Sequence, residues 1–121
     1  MIHTRVVLLL LSAVLILPAS ALAKAPKEKP IHGAIAINRD SNAVGYAYDF
    51  KTALDAKREA LKQCGEKKCE VVASFRNGCA AVASGGKKLV TMTGATRDEA
   101  ETKVTRKCGA ECRIVAWACT K

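Results

Sequence analysis

The residues best equipped for chemistry in this chain are six cysteines. All of them fall in two stretches, QCGEKKCEVVASFRNGC at Gln63–Cys79 and KCGAECRIVAWAC at Lys107–Cys119. Thiols so grouped could form a redox couple, a metal cluster or disulfides. A thioredoxin-like couple keeps Cys-x-x-Cys spacing, whereas four residues separate Cys64 from Cys69, three separate Cys108 from Cys112, and no tryptophan precedes either pair. A zinc site would draw on histidine, but the one histidine outside the leader is His32, far in sequence from every cysteine. Its expected place is a solvent-facing position just before a strand. Disulfides remain, and an exported chain of this size meets the oxidising surroundings in which they form.

No other group of side chains assembles a reaction centre. The sequence has no Ser/His/Asp arrangement with a nucleophile elbow and no phosphate-cradling Gly-rich loop, and Gly85-Gly86 reads as a turn. Asp55, Glu59, Asp98, Glu99 and Glu101 are accounted for as helix caps or exposed helix residues. The expectation is therefore a protein that is not an enzyme, with no catalytic residues, no metal and no cofactor.

The elements that hold the cysteines follow from local pattern. GAIAIN at 33–38 is a short strand, Arg39–Asn42 a polar turn, and AVGYAYD at 43–49 the second arm of a hairpin, with Val44, Tyr46 and Tyr48 on one face. Gly45 and Ala47 face the other way, a pattern suited to close packing against a helix. Thr52 is an N-cap with Asp55 as an approximate capping box, and Ala53–Cys64 is an amphipathic helix whose stripe is Ala53, Ala56, Ala60 and Cys64, widened by Leu54 and Leu61. Gly65 stops it. Cys69–Arg76 is a strand, and Asn77-Gly78 predicts a tight hairpin. The programme then repeats: strands at 79–84 and 87–93, Thr96 with Glu99 as a capping box, a helix over Arg97–Cys108 stopped by Gly109, and a last strand at 112–120.

Thr52, Asp55, Ala56, Cys64 and Gly65 recur at one constant offset as Thr96, Glu99, Ala100, Cys108 and Gly109. Cys69 and Val72 recur as Cys112 and Val115 at an offset one residue shorter. The fold class is therefore α+β, built from two tandem pseudo-symmetric ββαβ units, about 33–76 and 79–119, that pack as one small disulfide-stapled domain. Equivalent cysteines should do equivalent things, which pairs Cys64 with Cys69 and Cys108 with Cys112. Cys79 and Cys119 are left to staple the first strand of the second unit to the last strand of the chain.

Outside the domain, residues 1–23 read as a signal peptide: a positive start at Met1–Arg5, an apolar run over Val6–Leu17, Pro18, then Ala21-Leu22-Ala23 before the cut. Cleavage after Ala25 is the alternative. The apolar run falls short of the roughly 20 residues that span a bilayer, so no transmembrane anchor is expected after cleavage. Residues 24–30, KAPKEKP, form a flexible basic tether, and residues 31–121 the domain.

The chain carries 20 Lys and Arg against 11 Asp and Glu, a net charge of +9, which loses one unit with Arg5. Such a surface favours anionic partners through attraction that salt weakens. Aromatic residues are few, and Phe75 and Trp117 fall in central-looking strands where core packing is the expected use, so nucleic acid is not an expected partner.

The series GAIAINRDSNAVGYAYDF, TALDAKREALKQCG, CEVVASFRNGCAAVA, TRDEAETKVTRKCG and CRIVAWAC resembles DUF4189, a domain of unknown function found in exported bacterial proteins, secreted mycobacterial ones among them. The resemblance covers essentially the whole chain after the leader and rests on GAIA, the Cys-Gly helix ends and the RNGC turn at Arg76–Cys79. Many members carry an aromatic, Gly-rich strand of the type GWGWG before the second helix; here Val90-Thr91-Met92-Thr93-Gly94 stands in its place. The resemblance implies secretion and disulfides and brings no assigned reaction.

The functional expectation is a periplasmic or extracellular monomer that binds, without catalysis, an anionic envelope component or another protein. The candidate surface comprises Arg39, Lys62, Lys87, Lys88, Arg106 and Lys107, on helix ends and hairpin tips. The alternative is an inhibitor or immunity protein that blocks a periplasmic hydrolase by inserting Arg39–Asn42 or the Lys87-Lys88 tip, with an acidic enzyme as target.

Overall fold

The structure, a computed structural model, describes residues 28–121. The expected signal peptide at 1–23 and the expected tether as far as residue 27 lie outside the described residues. The elements run β1 His32–Ile37, β2 Val44–Phe50, α1 Ala53–Cys64, β3 Glu70–Arg76, β4 Cys79–Gly85, β5 Lys88–Gly94, α2 Arg97–Cys108 and β6 Arg113–Cys119. They form two antiparallel sheets of the same plan, ordered β2-β1-β3 and β5-β4-β6. The protein is α+β and consists of two similar units.

The helices begin and end as the sequence dictates. Thr52 and Thr96 have extended backbones, and each hydroxyl accepts from the backbone N–H of the residue three positions on, Asp55 and Glu99, at 3.1 Å. This satisfies one of the N–H groups that a helix start leaves unpaired. Glu99 reaches past the cap residue, and its carboxylate accepts from the Ala95 N–H at 3.0 Å. At the other end Gly65, at φ 75°, closes α1 with its N–H on the Leu61 carbonyl.

Strand alternation sets the layers. Ile35 and Ile37 point to one face of the first sheet, and Ala34 and Ala36 to the other. The isoleucines join Ala73, Phe75, Ala80, Val82, Ala116 and Ala118 in a core between the two sheets. The alanines pack against Ala56, Ala60 and Cys64 of α1. On the second sheet, Ala81 and Ala83 face Ala100, Val104 and Cys108 of α2. The molecule is thus a four-layer stack of helix, sheet, sheet and helix, with a shared central core that neither sheet could bury alone. Leu54 and Leu61, expected to widen the buried stripe of α1, are exposed instead, because only the narrow stripe of Ala56, Ala60 and Cys64 meets the sheet.

All three disulfides pair as the repeat requires. Cys64–Cys69 and Cys108–Cys112 close the turn after each helix, with Cα atoms 6.2 and 5.8 Å apart. Cys79 and Cys119 are direct cross-strand partners of β4 and β6, 4.0 Å apart at Cα.

Three further expectations need correction. Asn77-Gly78 does not form a hairpin; β3 pairs with β1 and β4 pairs with β6, so the chain changes sheets here. Only Asn77 takes a positive φ, 46°. Asn77 prolongs the first sheet through its N–H to the Ile31 carbonyl at 3.0 Å, and the Gly78 carbonyl prolongs the second by accepting from the Thr120 N–H at 2.8 Å. Trp117 is 40% exposed, whereas Phe75 is buried as expected. His32 is the first residue of β1, half-buried between Phe50 and Arg76 rather than facing solvent before the strand.

Candidate functional site

Register defines which residues of the two units correspond. Each inner strand pairs with its partner past one extra residue, Val72 in β3 and Val115 in β6. These bulges make Ile35 equivalent to Val82, Glu70 and Ser74 equivalent to Arg113 and Trp117, and Tyr46 equivalent to Thr91.

The six basic candidates are all exposed but are not one patch. Lys87 and Lys88 form the β4–β5 tip, and Arg106 and Lys107 the last turn of α2. Ser84 and Gly85 at the end of β4 lie opposite Arg113 and Lys88, so topology draws the tip, the helix end and Arg113 to one end of the second unit. Among the described residues none of these five cations has a carboxylate within ion-pair distance. Glu111 is the one carboxylate in segments 84–95 and 105–121.

Arg39 and Lys62 belong to the corresponding end of the first unit, where, among the described residues, Arg39 and Lys68 are ion-paired and Lys62 and Lys67 are not. Arg39 pairs with Glu70 at 3.6 Å and Lys68 with Asp40 at 3.1 Å. The loop is braced from within: the Asn38 side-chain Oδ1 accepts from the Asp40 N–H at 2.9 Å, while its side-chain Nδ2 donates to Glu66, which also accepts from the Ser41 hydroxyl. Asn38 is the one buried polar side chain among the described residues, and its bonds explain why it can be.

A second feature escaped the sequence reading. Between the edge strands β2 and β6 runs a cleft of about 480 Å³ lined by Tyr46, Tyr48, Gln63, Trp117, Ala118 and Cys119. The Arg97 guanidinium lies 3.7 Å from the Trp117 ring centroid and is ion-paired with Glu101 at 2.7 Å, which fixes the indole from one side. The other pair of edges, β3 and β5, borders a cleft of about 520 Å³ whose walls include Ser74, Arg76, Thr93, Glu99 and Lys103. Lys103 donates to Glu99 across 2.7 Å. That bond, the Ala95 N–H and the nearby ammonium charge hold the Glu99 carboxyl below its ordinary value. The signal available in the sequence was the mismatch within the repeat, Ser74 against Trp117 and Glu70 against Arg113.

Among the described residues all six cysteines are bridged, and no three His, Cys, Asp or Glu side chains lie together as a metal site. No helix there is long and apolar enough to cross a membrane.

Comparison with known proteins agrees with this architecture. The chain is 42% identical over 101 residues to the Mycobacterium tuberculosis protein Rv1813c and equally to Mb1843c of Mycobacterium bovis, both described as uncharacterized. The match spans 83% of this chain and 68% of each relative. The NMR structure of Rv1813c superposes with a TM-score of 0.56 at 36% identity, over 74% of this chain and 76% of that one. Residues 32–119 match the family model for DUF4189, a domain of unknown function, and the chain belongs to that family.

Proposed function

We propose that this protein is an exported, non-enzymatic binding module that engages an anionic component outside the cytoplasm through the basic end of its second unit. The observation that carries the reading is the contrast in pairing. Among the described residues Lys87, Lys88, Arg106, Lys107 and Arg113 stand without carboxylate partners, whereas at the matching end of the first unit Arg39 and Lys68 are paired, leaving Lys62 and Lys67 unpaired. Unpaired cations gathered at one end create a positive potential that steers an anion, and pairing removes it. The helix dipole accounts for cations near the α2 terminus but not for those on the β4–β5 tip or Arg113. Three disulfides in so small a domain favour export, since reducing compartments do not sustain them.

The test separates local charge from net charge. Reversing Lys87, Lys88, Arg106 and Lys107 to Glu should cut co-sedimentation with phosphatidylglycerol vesicles at low salt by more than about tenfold. The same number of reversals on the first unit, at Lys57, Arg58, Lys62 and Lys67, should cost far less. Equal losses, or no binding by the parent chain at low ionic strength, would overturn the proposal.

A further inference from the structure

The β6 edge joins the basic end to the aromatic cleft. Along it Arg113, Ile114, Val115 and Trp117 are exposed, the last three by 36, 37 and 40%. At about 3.3 Å per residue the strip from Arg113 to Trp117 is roughly 13 Å long. The equivalent strip on β3 reads Glu70, Val71, Val72 and Ser74, with Glu70 spent on Arg39 and both valines half-buried. Packing therefore does not require a cation or an indole at these places, because the same fold is built without them one unit earlier.

We propose that this strip and the β2–β6 cleft form a binding site for a linear acidic glycan; the proposal rests on the binding-module reading above and names its ligand class. Such a chain presents two features in alternation, ring faces carrying weakly positive C–H groups and carboxylates. The C–H faces stack on an electron-rich aromatic ring. Trp117 supplies a platform whose position is fixed by Arg97 and Glu101, and Tyr46 and Tyr48 line the same cleft. The phenol hydroxyls and the Gln63 amide offer donors and acceptors to sugar hydroxyls. At the far end of the strip Lys88, across β4 on the face that Trp117 shares, and Arg113, on the other face of β6, take the carboxylates from either side. An anionic lipid headgroup would use the cations and leave the indole idle. The cleft meets the strip at Trp117, so a chain-like ligand can lie along both.

Trp117 is the sole tryptophan in the chain, so its emission reports on this site alone. Titrating the oxidised full domain with short oligogalacturonates should shift that emission saturably at low salt, and maltooligosaccharides of equal length should bind far more weakly. By calorimetry, Trp117→Ala should weaken oligogalacturonate binding about tenfold, Trp117→Phe should retain most of it, and Ser74→Ala on the equivalent edge should change nothing. Tyr48→Ala, at a side chain 47% exposed and outside the core, should weaken it as well and serves should Trp117→Ala fail to fold. The inference is overturned if oligogalacturonate does not bind, if single-stranded oligo-dT of equal charge binds as well or better, or if binding survives both aromatic truncations unchanged. Vesicle binding that is lost on reversing the basic end, with no glycan binding, would sink this inference and leave the broader reading standing.

Discussion

The two units are built to one plan, yet they solve helix packing in opposite ways. In the first, Gly45 of β2 faces α1 so closely that an added Cβ would lie 1.9 Å from the Ala60 carbonyl oxygen. In the second, Val90 holds the place of Gly45 and Val104 that of Ala60. At the matched positions one helix packs on small residues and the other on larger ones. The shared core between the sheets is divided unevenly too: Phe75 packs over Gly33, while the equivalent pair in the second unit is Ala118 and Ala80. Repetition preserved caps, bulges and helix-end disulfides, and freed the rest to differ. Differences inside the core lie where side chains pack on one another, whereas those on the β3 and β6 edges have no packing reason. The latter are where function is to be sought.

The largest asymmetry is covalent. Cys79 and Cys119 occupy the cross-strand place held in the first unit by His32 and Arg76. By chain entropy, replacing both cysteines by Ala should cost about 4 kcal/mol, against about 2 kcal/mol for removal of either helix-end bridge. Urea midpoints at constant slope measure this. The two helix-end bridges close turns of nearly equal length and should cost the same. A wide gap between them would break the equivalence of the units, and a loss for Cys79–Cys119 no larger than theirs would show that β4 and β6 hold together without it.

Helix packing offers the next test, in which matched positions respond to opposite changes. Gly45→Ala should destabilise by about 2–3 kcal/mol, because the new methyl group meets backbone atoms of α1 that cannot rotate away. Val104, fully buried, should cost about 2 kcal/mol on truncation to Ala by leaving a void. Ala60→Val, which copies the second unit into the first, should be poorly tolerated unless α1 moves outward. Free tolerance of both Gly45→Ala and Ala60→Val would mean that the two helices stand at similar heights and that the contrast is empty.

Much of this plan is written locally. Thr52, Thr96, Gly65 and Gly109 act within one turn, so both helices could be read to the residue from caps alone. The disulfide pairing followed from the repeat without any knowledge of which strands meet. Less legible was whatever depends on contacts between the units. Asn77-Gly78 carries a hairpin's local signature, but pairing of Ile31 with Asn77 and of Thr120 with Gly78 commits the two residues to different sheets. Trp117 looked like core because large aromatics in strands usually are. Its position lies on the outer face of an edge strand, a fact set by the order β5-β4-β6. The aromatic cleft joins residues from β2, α1 and β6, and no spacing in the sequence announces it.

The smallest effect predicted is electrostatic and belongs to the second unit alone. Lys103 lies one helical turn after Glu99 and pairs with it, whereas Glu59 stands in the corresponding place after Asp55. Hydrogen bonds from Lys103 and the Ala95 N–H, with the ammonium charge, hold the folded Glu99 carboxyl below the ordinary 4.5. A carboxyl whose folded value is depressed binds its proton more readily when unfolded. Its contribution to stability is therefore complete above pH about 4.5 and disappears as pH falls through the lower folded value. Thermal midpoints of the parent chain and Glu99→Gln should differ by a small, constant amount near neutrality and converge in acid, and Lys103→Met should narrow the gap. A difference that persists unchanged to the acid end would assign the effect of Glu99 to its bond with Ala95 as a neutral cap and remove charge from the account.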